Sequence, residues 1–430
     1  MQSPILLSKN KLFSPAVYTI IFDIYSHYKH CINIILKNKI RISTRIDEIL
    51  TIQVIGCLEP ITLILNSLGA TISPSSIGCK VLNKNKVGID ENINPKDIQW
   101  DVLRTTANYS THKIISGSHN HCVALIDSGI DVNHQDLMGN IINVKNFVPN
   151  KKIDSQENNV SVDPIYMKDY LDHGTQVAGQ ICANGEITSV TPNTGIRVYR
   201  VFGEEKAYNI WIIDAIIHAA NDGVDVINLS LGSYLIDNYY SINSKKYNNK
   251  AEIEAFKRAI EYAYSKGCVV VGALGNDDII IDNQEVFLKS IKDNLGASNI
   301  NENTRVYDFP SQLPNVIGVA SANYFDDIAN YSNKSKKSID ILSYAGDTRL
   351  LEKYGMKKWL QKKLILKDWI LSTSSNTVYT YTTGNSLATG KVSGAIAAMN
   401  AYYNIHKDPC RSLQLFKDKT SRILNMEEFV

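Results

Sequence analysis

The sequence has no long apolar run, no signal-peptide pattern and almost no net charge, and each absence narrows its function. No stretch reaches the roughly 18 apolar residues that a membrane-spanning helix needs. The apolar run from Ala16 to Phe22 is short, is ended by Asp23 and is followed by no small-residue cleavage site. A net charge of +2 over 430 residues gives no general affinity for nucleic acid.

The seven cysteines include no Cys-x-x-Cys pair, and their odd number and irregular spacing predict neither a zinc site nor a disulfide framework. Cys122, Cys182 and Cys268 lie within or beside apolar or helix-like segments, which is typical of small buried hydrophobic residues. Many unpaired thiols favour a reducing compartment, and nothing at the C-terminus resembles a wall or membrane anchor. We therefore expect a cytoplasmic protein, with secretion as the alternative.

Three short motifs contain an acid, an imidazole and a hydroxyl in the order Asp, His, Ser. Asp127 ends the apolar run Val-Ala-Leu-Ile-Asp, His173 opens a helix-like segment, and Ser386 opens another. This is one of the known chain orders of a serine-hydrolase triad. A serine hydroxyl needs an adjacent base to accept its proton, and a carboxylate can orient that base. We predict that Ser386 is the nucleophile, His173 the base and Asp127 its orienting acid.

Each motif has a simpler explanation when it is taken alone, as a turn residue, a loop or an ordinary helix cap. A fourth segment, Val-Val-Val-Gly-Ala-Leu-Gly-Asn, lies between the His and Ser motifs and ends at Asn276. The Asn276 amide and the backbone N–H of Ser386 are the predicted donors to the oxyanion of the reaction intermediate. The combination favours catalysis over the simpler explanations.

Together these motifs resemble the subtilisin-like serine protease family, over a stretch from about Gln99 to about Ala401. The resemblance implies an α/β fold with a mostly parallel sheet flanked by helices and the active site at the strand ends. It also implies that the backbone of Ser230, Leu231 and Gly232 pairs with an extended peptide substrate.

Gly275 is assigned to substrate binding on the same resemblance. Near the nucleophile the similarity is to lantibiotic leader peptidases, which remove the leader from a modified peptide antibiotic. It rests on the insert around Trp359 and on the sequence Lys391-Val-Ser-Gly-Ala.

Two other functions remain open. One is a broad intracellular degradative subtilisin, although such enzymes more usually carry Pro-His at positions 390 and 391. The other is an inactive pseudoprotease that binds peptides, because Asn385 and Gly390 stand where Thr and Pro are usual in the family.

Glycine is unfavourable inside a helix and lacks the fixed φ of proline, so we expect the nucleophile helix to start less rigidly.

No metal and no cofactor is predicted. Asp136 matches one calcium-ligand position of the family by its spacing from Asp127. A single carboxylate cannot supply the 6–8 oxygen ligands, roughly, that calcium takes. The stretch from Ala178 to Thr191, where the family's calcium loop lies, is also short.

A chain of 430 residues exceeds the usual size of one domain, so two units are expected. We place a peptidase domain at 96–430 and a small α+β unit at 1–95. By resemblance the smaller unit is a prodomain that assists folding and blocks the cleft; a permanently attached domain is the alternative. Its predicted elements are strands at Val17 to Asp23, Cys31 to Leu36 and within Arg45 to Cys57, a helix at Glu59 to Leu68 and a linker at Asn83 to Asn94.

Two inserts are candidates for specificity. The first, Asp277 to Asn303, begins with a group of four carboxylates that would favour a basic side chain before the scissile bond; a solvated loop is the alternative. These carboxylates belong to Asp277, Asp278, Asp282 and Glu285. The second, Lys353 to Ile370, is a basic amphipathic segment suited to weak membrane or partner contact, although packing on the protease body is favoured. The predicted partner is a peptide or precursor peptide, and the predicted state is a monomer.

Overall fold

The computed structural model describes residues 17–80, 94–148, 166–203, 206–242, 245–295, 297, 300–301 and 303–430. The strands are β1 (Val17–Ile21), β2 (Arg41–Ile46), β3 (Thr51–Ile55), β4 (Thr71–Pro74), β5 (Ile77–Lys80), β6 (Val123–Asp127), β7 (Ile141–Asn146), β8 (Ile196–Arg200), β9 (Lys206–Tyr208), β10 (Val226–Leu229), β11 (Ser233–Ile236), β12 (Tyr240–Ile242), β13 (Lys245–Tyr247), β14 (Val269–Ala273), β15 (Val306–Phe309), β16 (Val316–Ala322), β17 (Ile341–Tyr344), β18 (Ile370–Ser374) and β19 (Val378–Thr382). The helices are α1 (Tyr25–Lys37), α2 (Thr62–Ser67), α3 (Trp100–Thr105), α4 (His173–Cys182), α5 (Asn209–Asn221), α6 (Lys250–Ser265), α7 (Gln284–Leu295), α8 (Arg349–Gln361), α9 (Ile365–Asp368), α10 (Asn385–Tyr402) and α11 (Pro409–Lys419).

A seven-stranded sheet lies at the centre, in the order β17-β16-β14-β10-β6-β8-β7, and its neighbouring strands run parallel. β6 and β14 are buried along their whole length, as their continuous apolar sequences require when both faces of a sheet are covered. Val123 and Leu125 of β6 pack into one core with α4 and α10, while Ala124 and Ile126 pack into another with α5 and α6. The predicted mostly parallel sheet flanked by helices is confirmed.

The carboxyl ends of the central strands meet at one edge, because parallel strands all point the same way. β6 ends at Asp127, β10 ends just before Ser230, and β14 ends three residues before Asn276. Helix α4 begins at His173, and α10 begins one residue before Ser386. The topology therefore gathers residues that are far apart in sequence.

The N-terminal part forms an antiparallel sheet in the order β2-β3-β1-β4, with the apolar side chains of α1 and α2 packed on it. Strands β1 and β4 also contact α6 of the larger unit. Beyond this sheet, β5 pairs antiparallel with β9, just ahead of α5. The predicted linker lies almost wholly outside the described residues.

The strand predicted at Cys31 to Leu36 is wrong, because these residues belong to helix α1. Tyr28, Cys31, Ile32 and Ile35 are its buried residues, and their spacing of three and four is the helical period. The run of isoleucines favours a strand locally, but burial of a helical stripe against the sheet outweighs that preference.

Both inserts are folded against the protease body. The first contains α7, whose Phe287 and Ile291 are fully buried, so it is more than a solvated loop. In the second, Trp359 and Trp369 are buried in the main core and their rings lie 5.0 Å apart. Packing on the body, the favoured interpretation of that segment, is confirmed. Among the helices of the described residues, none combines the length and apolar character needed to cross a bilayer.

The six cysteines whose side chains are described carry free thiols. Cys122, Cys182 and Cys268 are buried, which confirms their predicted role as small core residues. Burial raises the pKa of the Cys268 thiol to about 12, so it stays protonated at neutral pH.

Candidate active site

His173 and Asp127 form a hydrogen-bonded pair at the end of β6. The Nδ1 atom of His173 lies 2.7 Å from Oδ1 of Asp127, and the Asp127 side chain is fully buried whereas the imidazole is partly exposed. The backbone N–H of Ser128 donates to the same carboxylate oxygen at 2.7 Å. A carboxylate fixed in this way holds the proton of the imidazole on Nδ1, which leaves Nε2 as the basic nitrogen.

Two further carboxylates hold the start of α4, and sequence reasoning missed both. Asp169 accepts hydrogen bonds from Ser128 Oγ at 2.7 Å and from the N–H and hydroxyl of Thr175 at 2.9 and 2.8 Å. Asp172, which has a left-handed backbone with φ of 60°, accepts from Ser374 Oγ and the Ser375 N–H, both at 2.5 Å. These contacts tie the residue before His173 to the hairpin of β18 and β19.

Ser386 lies in the first turn of α10 and is linked to the end of β10 in both directions. Its hydroxyl donates to the backbone oxygen of Ser230 at 2.9 Å, and the Ser230 hydroxyl donates to the backbone oxygen of Ser386 at 2.7 Å. Asn228 Nδ2 in turn donates to Ser230 Oγ at 2.9 Å. The positive end of the helix dipole lies at Ser386, which suits a developing negative charge.

Asn276 and Asn385 are joined at the same helix start. Oδ1 of Asn276 accepts the backbone N–H of Asn385 at 3.0 Å, so Nδ2 is the donor end of the Asn276 amide. Asn385 is fully buried; its Nδ2 donates to the backbone oxygens of Leu274 and Gly275 at 3.1 and 2.9 Å, and its Oδ1 accepts from the Ser321 N–H at 2.8 Å. The expected loosening of this helix start is not supported by these contacts, because Asn385 ties α10 to two strands.

Gly390 and Lys391 also have defined structural roles. A Cβ atom on Gly390 would lie 3.1 Å from the backbone oxygen of Val177, so the glycine permits close contact between α10 and α4. Lys391 is fully buried; its Nζ lies 2.7 Å from Oδ2 of the equally buried Asp101 and donates to the backbone oxygen of Tyr344 at 2.7 Å. This ion pair joins the nucleophile helix to α3.

The predicted substrate edge, Ser230, Leu231 and Gly232, follows β10 directly. Gly232 has no space for a side chain, since a Cβ atom there would lie 2.3 Å from the backbone oxygen of Phe309. Leu231 and Gly232 line a small cavity together with Asn209, the residue after β9. The start of α5 therefore lies close to the predicted substrate edge.

The carboxylates of Asp308, which is fully buried, and of Asp277, which is partly buried, lie near Gly275. Asp308 Oδ2 accepts the Gly275 N–H and Asn333 Nδ2, each at 2.9 Å. Tyr234 donates to Asp277 Oδ2 at 2.5 Å, while Asp277 Oδ1 is buried with no hydrogen-bond partner among the described residues. Burial raises the pKa of Asp277 to about 6 and that of Asp308 to about 7.

Of the four predicted specificity carboxylates, only Asp277 belongs to this cluster. Asp278 is exposed and pairs with Lys334, and Asp282 accepts from Ser335 Oγ at 2.6 Å. Glu285 is exposed in the first turn of α7. Asp308 was missed because it is a lone acid in the strand Val-Tyr-Asp-Phe and lies far from Asn276 in sequence.

Asp136, the match to a calcium ligand, is engaged by hydrogen-bond donors. Its Oδ1 accepts the Glu186 N–H at 3.1 Å, and its Oδ2 accepts the Ile187 N–H and the Tyr379 hydroxyl at 2.9 and 3.0 Å. Calcium is held by oxygen ligands, whereas N–H groups repel a cation. These residues therefore do not fit a calcium site; Asp136 anchors the short loop after α4.

An imidazole paired with a buried acid, and a serine at a helix start, both at the strand ends of a parallel α/β sheet, are features of serine hydrolases. A model of the Subtilase family matches residues 118–415, and the chain belongs to this family of subtilisin-like serine endopeptidases.

Individual relatives agree with this assignment. The chain is 36% identical over 414 residues to the epidermin leader peptide-processing serine protease EpiP of Staphylococcus epidermidis, covering 94% of this chain and 87% of that protein. It is 39% identical over 315 residues to the nisin leader peptide-processing serine protease NisP of Lactococcus lactis subsp. lactis, covering 73% and 45%. The crystal structure of an S393A mutant of EpiP from Staphylococcus aureus superposes with a TM-score of 0.85 at 29% identity, covering 96% and 98%.

Proposed function

We propose that this serine protease removes the leader from a lantibiotic precursor peptide. The observation that carries the proposal is similarity along nearly the whole chain to a protease named for processing the epidermin leader. A second relative, named for processing the nisin leader, covers most of the chain. A broad degradative protease is the alternative, and an inactive peptide-binding module is a weaker one.

For the chemistry, Asp127, His173 and Ser386 act as the triad. Ser386 attacks the carbonyl carbon of the scissile bond while His173 Nε2 accepts its proton, and Asp127 stabilises the imidazolium. The imidazolium then donates that proton to the leaving amine, which leaves an acyl-enzyme ester on Ser386. Water, deprotonated by His173, hydrolyses the ester and restores the hydroxyl. Attack on the scissile carbonyl, and later on the ester, each gives an intermediate with a negatively charged oxygen. Asn276 Nδ2 and the Ser386 N–H donate hydrogen bonds to this oxyanion, and loss of one such donor typically lowers turnover by about 10²–10³-fold.

Peptide binding also explains the bond between Ser386 and Ser230. In the free enzyme the Ser386 hydroxyl donates to the Ser230 backbone oxygen. A substrate strand paired along Ser230 to Gly232 offers its own N–H to that oxygen and displaces the hydroxyl. The hydroxyl then turns to His173, so productive geometry forms when substrate is bound.

We propose that Asp277 and Asp308 select a basic residue before the scissile bond. Both lie against Gly275, beside Asn276, and Asp277 Oδ1 has no hydrogen-bond partner among the described residues. A guanidinium or ammonium group would supply the missing donors and offset the cost of burying two carboxylates. The test compares peptides that differ only in Arg or Leu at this position.

The Arg peptide should have the higher kcat/KM, and Asp277→Asn should reduce the Arg-to-Leu ratio at least tenfold. Asp278→Asn is the matched control, because that carboxylate is exposed and pairs with Lys334. Equal values for the two peptides in the wild type would refute the specificity, without bearing on the proteolytic activity itself.

Residues 1–95 are proposed to act as a prodomain. Strand β5 pairs with β9, whose neighbour Asn209 lines the same depression as Leu231 and Gly232. This pairing brings the N-terminal part close to the residues predicted to bind the substrate. Intact-mass measurement tests the proposal: active wild-type protein should shorten by roughly the mass of this unit, whereas Ser386→Ala should not. A fully active chain of unchanged mass would favour a permanently attached domain.

The leader-peptidase proposal is tested with a lantibiotic precursor peptide that still carries its leader. We expect a single cut between leader and core by mass spectrometry, with none by Ser386→Ala. Casein serves as the comparison substrate: many cuts in casein with no preference for the precursor would favour the degradative alternative. Absence of labelling of wild-type Ser386 by a fluorophosphonate would favour the binding module.

The cytoplasmic location and the monomeric state stay predictions.

A further inference from the structure

Two histidines and an aspartate from distant parts of the chain meet at the amino ends of the central strands. His121 lies two residues before β6, Asp225 lies immediately before β10, and His406 follows the end of α10. One potential ligand atom from each lies within 4.8 Å of the other two. Ser386 lies at the opposite end of the sheet, since β6 and β10 both run towards it.

The closest pair in this cluster has the spacing of two ligands on one metal ion. Nδ1 of His121 lies 3.4 Å from Oδ1 of Asp225. Two ligands about 2.0–2.1 Å from a tetrahedral zinc ion lie roughly 3.4 Å apart. Nδ1 of His121 is buried and has no hydrogen-bond partner among the described residues. This nitrogen therefore faces the Asp225 carboxylate at the limit of hydrogen-bond distance, and a cation shared by the two groups would give both a closer partner.

The third ligand provides access from solvent. His406 is exposed, and its ring stacks on that of His121 with the centroids 4.2 Å apart. Its side chain can tilt out of the stack toward an ion shared with the other two residues. Three protein ligands leave a fourth position for water.

Lys407 limits the affinity of this cluster for a cation. Lys407 donates to the backbone oxygens of Gly223 and Val224, both at 2.6 Å, and its positive charge opposes a second cation.

We propose that His121, Asp225 and His406 bind a zinc ion that ties the chain after α10 to the amino ends of β6 and β10. Such an ion stabilises the fold rather than taking part in peptide hydrolysis, because it lies at the far end of the sheet. Micromolar affinity is expected, since imidazole and carboxylate ligands suit zinc while Lys407 weakens the site.

The test uses full-length protein carrying Ser386→Ala to prevent self-digestion, stripped of metal with a chelator. Titration with zinc chloride by calorimetry should give one site per chain, and a hundredfold excess of zinc over its Kd should raise the apparent melting temperature by roughly 3–6 °C. His406→Gln, a change at an exposed residue, should weaken zinc binding at least tenfold and abolish the rise. Cobalt should give visible absorption bands of a four-coordinate site that the same variant removes.

His218→Gln is the matched control, because His218 is also half exposed and lies 3.2 Å from a carboxylate, that of Asp214. This variant should bind zinc as the parent does. Absence of stoichiometric zinc binding in the parent would overturn the proposal. So would zinc binding that His406→Gln leaves unchanged, or that both variants weaken equally.

Discussion

At the scale of single residues, the proposed role of Asp277 and Asp308 predicts that substrate preference depends on pH. Burial raises the pKa of Asp277 to about 6 and that of Asp308 to about 7. Below these values both are neutral and attract a basic side chain weakly, whereas above them they are charged and attract it strongly. The ratio of kcat/KM for Arg over Leu peptides should therefore rise between pH 5 and 8.

The ratio of the two kcat/KM values isolates the effect of Asp277 and Asp308, because any titration in the triad changes kcat/KM by the same factor for both peptides. Asp308→Asn should shift or flatten this rise by removing one of the two titrating groups. A ratio that stays constant from pH 5 to 8 in the wild type would show that these carboxylates do not contact the substrate side chain.

The buried pair of Lys391 and Asp101 is a second feature at this scale. Lys391→Met alone leaves the Asp101 carboxylate buried without its partner, which costs about 3–5 kcal/mol of unfolding free energy. Changing Asp101→Leu as well should recover most of that loss, because an apolar pair of similar volume is tolerated there. Urea unfolding measures the unfolding free energy of the single and of the double variant, each in protein that also carries Ser386→Ala. A double variant no more stable than the single one would contradict the account.

At the scale of elements, α4 packs on β18 through Gly179. A Cβ atom there would lie 2.3 Å from Thr373 Oγ1 and 2.6 Å from Ser372 Oγ. Both hydroxyls donate to backbone oxygens of α4, those of Thr175 and Gln176, at 2.6 Å. Gly179→Ala should therefore lower the unfolding free energy by about 1–3 kcal/mol and reduce kcat, because His173 begins this helix.

Gly139→Ala is the control for that change, since nothing lies within 4 Å of the position of its Cβ atom. It should leave the urea midpoint and kcat nearly unchanged. Equal effects of the two substitutions would show that the helix-to-strand contact does not limit either property.

The sequence predicts the elements around the chemistry well, because a single local pattern defines each one. Asp127 ends an apolar strand and His173 and Ser386 lie at helix starts, as their motifs indicate. Asp308 was not predictable, since its role depends on β15 passing beneath Gly275. Cys31 to Leu36 was assigned to a strand because tertiary burial, rather than local preference, decides its conformation.

At the scale of the whole molecule, the N-terminal unit is attached both by apolar packing, with Ile21, Ile46 and Ile49 in one core with α5 and α6, and by buried polar contacts. The Glu252 carboxylate accepts the Ser76 N–H at 2.7 Å and also the Ser76 hydroxyl. Asn209 Nδ2 donates to it at 3.3 Å and to Ser76 Oγ at 2.7 Å. Ser76 directly precedes β5, so this cluster holds the segment that pairs with β9.

Burial raises the pKa of Glu252 from 4.5 to about 7. If separation of the units exposes Glu252 to water, the docked state binds more protons between these two values. Docking should then weaken as pH rises through this window, by up to about 3 kcal/mol.

Hydrogen exchange at β4 and β5 in full-length Ser386→Ala protein, corrected for the intrinsic effect of pH, should show greater protection at pH 5 than at pH 8. Glu252→Gln should remove the difference, whereas Glu261→Gln, an exposed change on the same helix, should keep it. Protection that is independent of pH in the parent would contradict this role for Glu252.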